Sequence, residues 1–286
     1  MRTADQSGAE RDSLSKNIHC NETERSQAMH QAADQEKSFY DLRWREAEIS
    51  AADHARICYT VSAVPADCKQ VLDVGAGDGR VSHALADADK LVTAVDISSV
   101  ALSKLHVPGF LRSCDNLGFA DGEFDLVLCT EMLEHLDEDV ERRARNEFAQ
   151  VAKRYILVTV PNDENLTENL GLCECGTKFH IWGHRRRYRP EDLSNLFSGF
   201  SLVRSEPFGR ETTIYDRRLL WLRQRFARAF AWDVSTHCPI CHGARAAAPR
   251  SRFVMLLCDF LNFKLRRTHP SWLLALYRRN DCRPQS

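Results

Sequence analysis

Apolar and polar positions change rhythm three times along this chain. Residues 1–36 hold few large apolar side chains and many Asp, Glu, Ser and Gln, which predicts a disordered polar tail. Between residues 39 and 64, Leu42, Trp44, Ile49, Ile57, Val61 and Val64 suit a helix, and Pro65 closes it. Short apolar runs then alternate with amphipathic stretches. Val71–Val74 predicts a strand and Arg80–Ala86 a helix. Leu91–Val95 predicts a second strand, ended by Asp96, and Ser98 or Ser99 can cap a helix to about Leu105. Phe110–Ser113 and Phe124–Cys129 read as further strands, Asp137–Ala152 as a charged amphipathic helix and Tyr155–Val160 as the fifth strand. This alternation implies an α/β fold: a Rossmann-like, doubly wound, mostly parallel sheet with helices on both faces.

Beyond Pro161 the regularity breaks. Residues 163–188 read as a loop, Pro190 opens a helix to Phe197, and Phe200–Ser205 predicts a strand. Residues 210–270 form a basic, mostly helical insertion, and Trp272–Tyr277 would complete a seven-stranded sheet. The expected division is therefore a tail at 1–36, a sheet domain at 37–209 with 271–279, and the insertion at 210–270. A run of about 18 apolar residues is lacking, which argues against a spanning helix, and the polar first thirty residues do not resemble a secretory signal.

Charge sharpens this division. The formal net charge is -1, but from His184 onward 20 Arg and Lys stand against 8 Asp and Glu, leaving 19 against 32 before it. An acidic body with a basic end suggests an anionic partner, although arginines that merely solvate helices give the same count. The 11 cysteines are an odd number and point to a reducing, cytoplasmic setting, where thiols pack, bind metals or catalyse more often than they pair.

The most informative local pattern is Asp73-Val74-Gly75-Ala76-Gly77-Asp78-Gly79 after the first strand. Glycines there allow positive φ and close approach of a ligand to the backbone. A nicotinamide-binding loop would place its third glycine at position 80, which is Arg80. Asp73 and Asp78 would repel a pyrophosphate and suit a ligand bearing an ammonium and a sulfonium. Asp96, at the end of the second strand, can accept both hydroxyl hydrogens of a ribose. Asp115-Asn116, after the third strand, can face an adenine amino group. Each acid alone is most simply a helix cap or a solvated loop residue. Their order at successive strand ends is harder to explain that way.

With these motifs, and with Ala94-Val95-Asp96-Ile97, Phe124-Asp125-Leu126-Val127 and Val160-Pro161-Asn162, the chain resembles the class I S-adenosylmethionine-dependent methyltransferases over about residues 39–208 and the last strand. The resemblance implies that Gly75 and Gly77 line the methionine moiety, Asp96 holds the ribose and Asp115 the adenine. Asp73, Ala76, Ile97, Asn116 and Thr130 complete the expected cofactor site. The fourth strand runs into Glu131, Glu134 and His135, where three readings stand. They organise the strand end by hydrogen bonding, or they bind a divalent metal such as Mg²⁺, or His135 acts as general base. At Glu-x-x-Glu-His the chain is similar to ubiquinone-pathway O-methyltransferases and small-RNA 2′-O-methyltransferases, which implies a metal that acidifies the hydroxyl to be methylated, with His184 or His180 as a further ligand.

Two cysteine pairs stand apart from that site. Cys238-Pro-Ile-Cys241 suits two thiolates on one zinc, and Cys173 and Cys175 can supply the rest, with His180 also in reach. Gly183-His184-Arg185-Arg186-Arg187-Tyr188 resembles a segment of some bacterial methyltransferases, although those carry Cys-x-x-Cys where this chain has Cys-x-Cys. His184, Arg185, Arg187 and Tyr188 are the expected acceptor contacts. Arg217–Phe230 interleaves aromatics with arginines, and Phe253–Phe263 is strongly apolar. The insertion could cap the sheet with its apolar faces, lie on anionic lipid, or touch nucleic acid, for which no RNA module is visible. The leading expectation is a methyltransferase acting at oxygen on a small-molecule or glycoconjugate acceptor, cytoplasmic or peripheral at a membrane. A metal-dependent RNA 2′-O-methyltransferase and a catalytically inactive partner protein are the alternatives.

Overall fold

The computed structural model describes residues 51–233, 236–265 and 267–281, together with 37, 38, 40, 41 and 44. The predicted tail and much of the start of the first predicted helix lie outside the described residues.

The sheet has seven strands. In chain order α1 (Ala51–Ser62), β1 (Gln70–Val74), α2 (Arg80–Asp87), β2 (Leu91–Asp96), α3 (Ser99–Leu102), β3 (Gly109–Leu111) and β4 (Phe124–Thr130) lead to α4 (Glu138–Val151) and β5 (Ala152–Pro161). A small hairpin of β6 (Leu170–Leu172) and β7 (Lys178–His180) follows. Then come β8 (Phe200–Thr213), α5 (Arg217–Phe226), α6 (Arg252–Leu265) and β9 (Thr268–Arg279). The strand order is β3-β2-β1-β4-β5-β9-β8, parallel from β3 to β5 and antiparallel where β9 joins β5 and β8.

Period-two alternation builds two cores, one on each face. Val127 and Cys129 of β4 face one core with Ala144 and Phe148 of α4. Leu126 and Leu128 face the other with Ile57 of α1 and Val81 and Leu85 of α2. The order reverses between β1 and β4, so a crevice opens at the carboxyl ends of β1, β2 and β4.

Several boundaries differ from the sequence expectation. The segment 163–188 carries the β6–β7 hairpin, and the helix expected from Pro190 to Phe197 is a single 3-10 turn, Pro190–Leu193. The long strand β8 continues to Thr213 and β9 begins at Thr268, paired Thr213 to Thr268, so the last hairpin brackets residues 214–267. Pairing with β9, which resumes after register shifts at Leu202/Arg204 and Phe208/Glu211, extends the strand past the polar residues that suggested its end. Within 214–267, Asp216 caps α5 by accepting from Arg218 N–H at 2.9 Å, and Asp216 N–H donates to the buried Asn262 of α6 at 2.7 Å. Those polar ties hold α5 to α6 but leave one face of α6 uncovered. Phe253 is 75% exposed and Leu256 62%, so this face does not cap the sheet.

Candidate active site

A cavity of about 1140 Å³ opens at the carboxyl ends of the parallel strands. The glycine loop forms its floor. Gly75 and Gly77 sit at φ 73° and 57°, and a Cβ would come within 2.6 Å of Met132 at Gly75 and 2.4 Å of the Trp44 ring at Gly77. Gly75 N–H and Ala76 N–H donate to Val95 O, which ties the loop to β2. Beside it, Asp96 is 8% exposed. Gly77 N–H and Ser98 N–H donate to its two carboxylate oxygens, each at 2.8 Å. Burial pushes the Asp96 carboxyl above its ordinary range, against those two hydrogen bonds. The carboxylate is thus fixed in orientation at the cavity wall, where Gly75, Ala76, Ile97 and Thr130 also lie.

Four residues expected to touch the cofactor do not line this cavity. Asp73 is buried beneath the loop, where Ser82 Oγ donates to it at 2.6 Å, and burial raises its carboxyl to about 6. Gly77 is covered by Trp44. The Asp115 carboxylate accepts from Ser113 and from Arg143 of α4, at 2.7 Å for the latter, so the guanidinium draws it out of the crevice and Asn116 with it. Cys114 and Arg112 line the wall in their place.

Across the cavity, β4 ends in Glu131, a non-glycine residue at φ 52°. That strained conformation persists because Glu131 N–H donates to Thr159 O at 2.9 Å and Thr159 Oγ1 donates to Glu131 Oε1 at 3.1 Å. A 3-10 turn, Leu133–His135, follows. Glu134 is fully buried, and among the described residues neither of its carboxylate oxygens has a hydrogen-bond partner. Burial drives its carboxyl well above the ordinary value, and Glu131 adds to the effect. Backbone N–H groups of Arg185 and Arg186 donate to Glu134 O, which docks the distant 184–186 segment on this turn. His184 thereby meets His135 edge-to-face at 4.7 Å between ring centroids and stacks on His180 at 4.8 Å. His184 Nδ1 lies 2.5 Å from Glu164 Oε2, and His180 Nε2 lies 3.4 Å from Glu164 Oε1. Burial opposes it, but those two imidazoles hold the Glu164 carboxyl down at about 2.

The ligand atoms of Glu134, His135 and His184 lie within 4.8 Å of one another, and so do those of Glu164, His180 and His184. His184 is the shared corner. The sequence motif supplied Glu134 and His135, with His184 or His180 as a further ligand, but its Glu131 is in neither group, and Glu164, in an irregular segment, was not anticipated.

Residues 72–155 match a family described as methyltransferase domain. The chain is 33% identical over 111 residues to the ubiquinone biosynthesis O-methyltransferase of Xanthomonas campestris pv. campestris, covering 34% of this chain and 46% of that protein. It is 37% identical over 93 residues to the protein of that name from Thiobacillus denitrificans, covering 29% and 40%. The chain thus spans less than half the length of these relatives. A SAM-dependent methyltransferase structure from Archaeoglobus fulgidus superposes with a TM-score of 0.51 at 18% identity, covering 79% of this chain and 92% of that one. Over residues 72–155 the chain is similar to a methyltransferase domain, and its sheet has the fold of a SAM-dependent methyltransferase structure. The fold alone does not decide the chemistry, since the [4+2]-cyclase SpnF superposes with a TM-score of 0.50 at 16% identity, over 82% of this chain and 84% of that one.

The methyltransferase match covers the glycine loop, Asp96 and the Glu131–His135 turn, and the residues that line the cavity from Pro161 onward lie beyond its end. There His184 and Arg187 line it, Arg187 paired with Asp163. Arg185 and Tyr188 do not. Arg185 pairs with Asp137, and Tyr188 is buried, its hydroxyl donating to Glu141 at 3.3 Å. Arg210 of β8, Arg217 and Arg218 at the start of α5, and Arg267 just before β9 also line the cavity. These were legible only as an excess of charge. The sulfurs of Cys173, Cys175, Cys238 and Cys241 also lie within 4.8 Å of one another, apart from the cavity.

Proposed function

We propose that this chain transfers a methyl group from S-adenosylmethionine to an oxygen of a small-molecule or glycoconjugate acceptor that carries an anionic group. The observation behind it is the Asp96 carboxylate, pinned by two backbone N–H groups in the wall of a cavity whose opposite wall holds Glu131, His135 and His184. The cofactor supplies a methyl group already activated on a sulfonium. Asp96 accepts the ribose hydroxyl hydrogens, and the Gly75 backbone, which lines the cavity beside it, faces the methionine part. His135 would take the acceptor hydroxyl proton as the oxygen–methyl bond forms and the sulfur–methyl bond breaks, with S-adenosylhomocysteine leaving, and most of the remaining catalysis is alignment. Arg187 and the other lining arginines draw the anionic end of the acceptor.

A second reading adds a divalent cation held by Glu134, His135 and His184. It is favoured by a fully buried carboxylate without hydrogen-bond partners among the described residues, an arrangement that costs several kcal/mol unless a cation or proton compensates it. Such a cation lowers the pKa of the acceptor hydroxyl. Oxygen and imidazole donors fit Mg²⁺ or Mn²⁺.

The exposed apolar face of α6, flanked by Arg252, Lys264 and Arg267, suits contact with anionic lipid on the cytoplasmic side. Among the described residues no helix is long and apolar enough to cross a membrane.

The test is release of S-adenosylhomocysteine with phenolic, phosphorylated and vesicle-borne acceptors, each run with and without EDTA. Turnover on a small or lipid-borne acceptor supports the reading. Turnover on RNA alone would replace it with the 2′-O-methyltransferase alternative. Cofactor binding without turnover on any acceptor would favour an inactive partner protein.

A further inference from the structure

The four cysteines lie outside the cavity and belong to two segments more than sixty residues apart. Cys173 Sγ is 3.5 Å from Cys241 Sγ, and Cys175 Sγ is 3.8 Å from Cys238 Sγ. A disulfide needs about 2.05 Å, so these are not bonded pairs. Four thiolates at about 2.3 Å from a tetrahedral ion stand about 3.8 Å apart. The two distances above are close to this, and all four sulfurs lie within 4.8 Å of one another.

Each pair is carried by a tight turn. Gly176 N–H donates to Cys173 O and Cys173 N–H to Thr177 O, both at 2.9 Å. His242 N–H donates to Cys238 O at 2.9 Å and Cys238 N–H to Gly243 O at 3.0 Å. The two turns are stitched together by backbone bonds, Glu174 N–H to Arg245 O and Ala247 N–H to Leu172 O. Cys173 and Cys238 are buried, and Cys175 and Cys241 exposed, so the cluster sits at an edge. Between α5 and α6 the described residues contain no helix or strand, and an irregular stretch of that length lacks a core of its own to order it.

We infer that Cys173, Cys175, Cys238 and Cys241 bind one structural Zn²⁺ that staples the β6–β7 hairpin to residues 236–247. All four positions are protein thiolates, so the site is closed and takes no substrate. Its reach into function is mechanical. The hairpin strand β7 ends at His180, which stacks on His184 beside Glu164, so the staple fixes the far wall of the cavity. The inference stands on the cysteine geometry and is independent of the methyl-transfer reading.

The test is metal analysis of the full chain, purified under reducing conditions without a metal-affinity step. About one zinc per chain is expected. Cobalt substitution should give the intense absorption of a tetrahedral thiolate site. Cys238→Ser with Cys241→Ser should remove the metal and leave S-adenosylmethionine affinity within about threefold, because Asp96 and the glycine loop lie elsewhere. His184→Ala should keep the zinc, which separates this site from a cation at Glu134. If the double variant fails to fold, the cobalt spectrum of the intact protein decides. An intact protein with less than about 0.1 zinc per chain, or a double variant that keeps full zinc, overturns the inference.

Discussion

The two walls of the cavity were built by different kinds of sequence information. The wall proposed for the cofactor comes from residues 73–98, where a strand, a glycine loop and a second strand end in Asp96, 21 positions after Gly75. Its contacts are short-range in the chain, such as Gly77 N–H to Asp96. The acceptor wall joins the turn at Glu134–His135 to His184, Glu164 and arginines of β8, of α5 and just before β9. Local pairing repeats across proteins with a recognisable spacing, whereas a wall assembled at long range depends on how loops dock. The first wall lies inside the stretch that matches a methyltransferase domain, and much of the second lies beyond it.

If the walls are separable, His135→Ala should lower turnover by about 10²- to 10⁴-fold and leave cofactor affinity within about threefold. Matching losses in both, read by calorimetry beside single-turnover kinetics, would break the separation.

The next largest effect concerns the cofactor wall alone. The native state holds the Asp73 proton more tightly than the unfolded chain, about 6 against 3.8, because ionising it under the loop costs desolvation. Its stabilising contribution is full below the unfolded value and is lost as pH rises through about 6. That is at most about 3 kcal/mol between the two limits. Urea midpoints at successive pH values should show wild-type stability falling relative to Asp73→Asn across this window, and parallel profiles would refute it.

Gly77→Ala should cost about tenfold in cofactor affinity, since alanine at positive φ is strained and its Cβ meets Trp44 at 2.4 Å. An unchanged dissociation constant would mean that Trp44 moves freely and does not pack the loop.

The smallest expected effect is on the outside. Leu256→Glu with Phe260→Glu should weaken binding to phosphatidylglycerol vesicles at low salt by about fivefold or more without altering cofactor affinity. Equal vesicle binding by both proteins would remove α6 as the lipid contact.

The same contrast explains what was legible beforehand. Strands β1, β2, β4 and β5 follow from short apolar runs that are buried on both faces, with each residue's face set by its parity, whereas β3 is exposed throughout. The reach of β8 to Thr213 was hidden, because its partner Thr268 lies across 54 intervening residues, and the polar sequence there carries no strand rhythm. Asp115 looked like a ligand residue from its place after β3, but Arg143, 28 residues on, claims its carboxylate. Tyr188 looked like an acceptor contact beside Arg187, yet Glu141 and the core take it. His184 was foreseen as a fourth ligand by type, whereas Glu164, in an irregular segment, was not.

The central claim is that Asp96 anchors S-adenosylmethionine on a wall that works without the acceptor side. Its most direct test is calorimetric titration of the cofactor into the intact protein and into Asp96→Ala. Micromolar binding that weakens by about a hundredfold or more in the variant is the expected result, since two hydrogen bonds to a charged group are lost. Absence of binding by the intact protein, or equal binding by both, would contradict it.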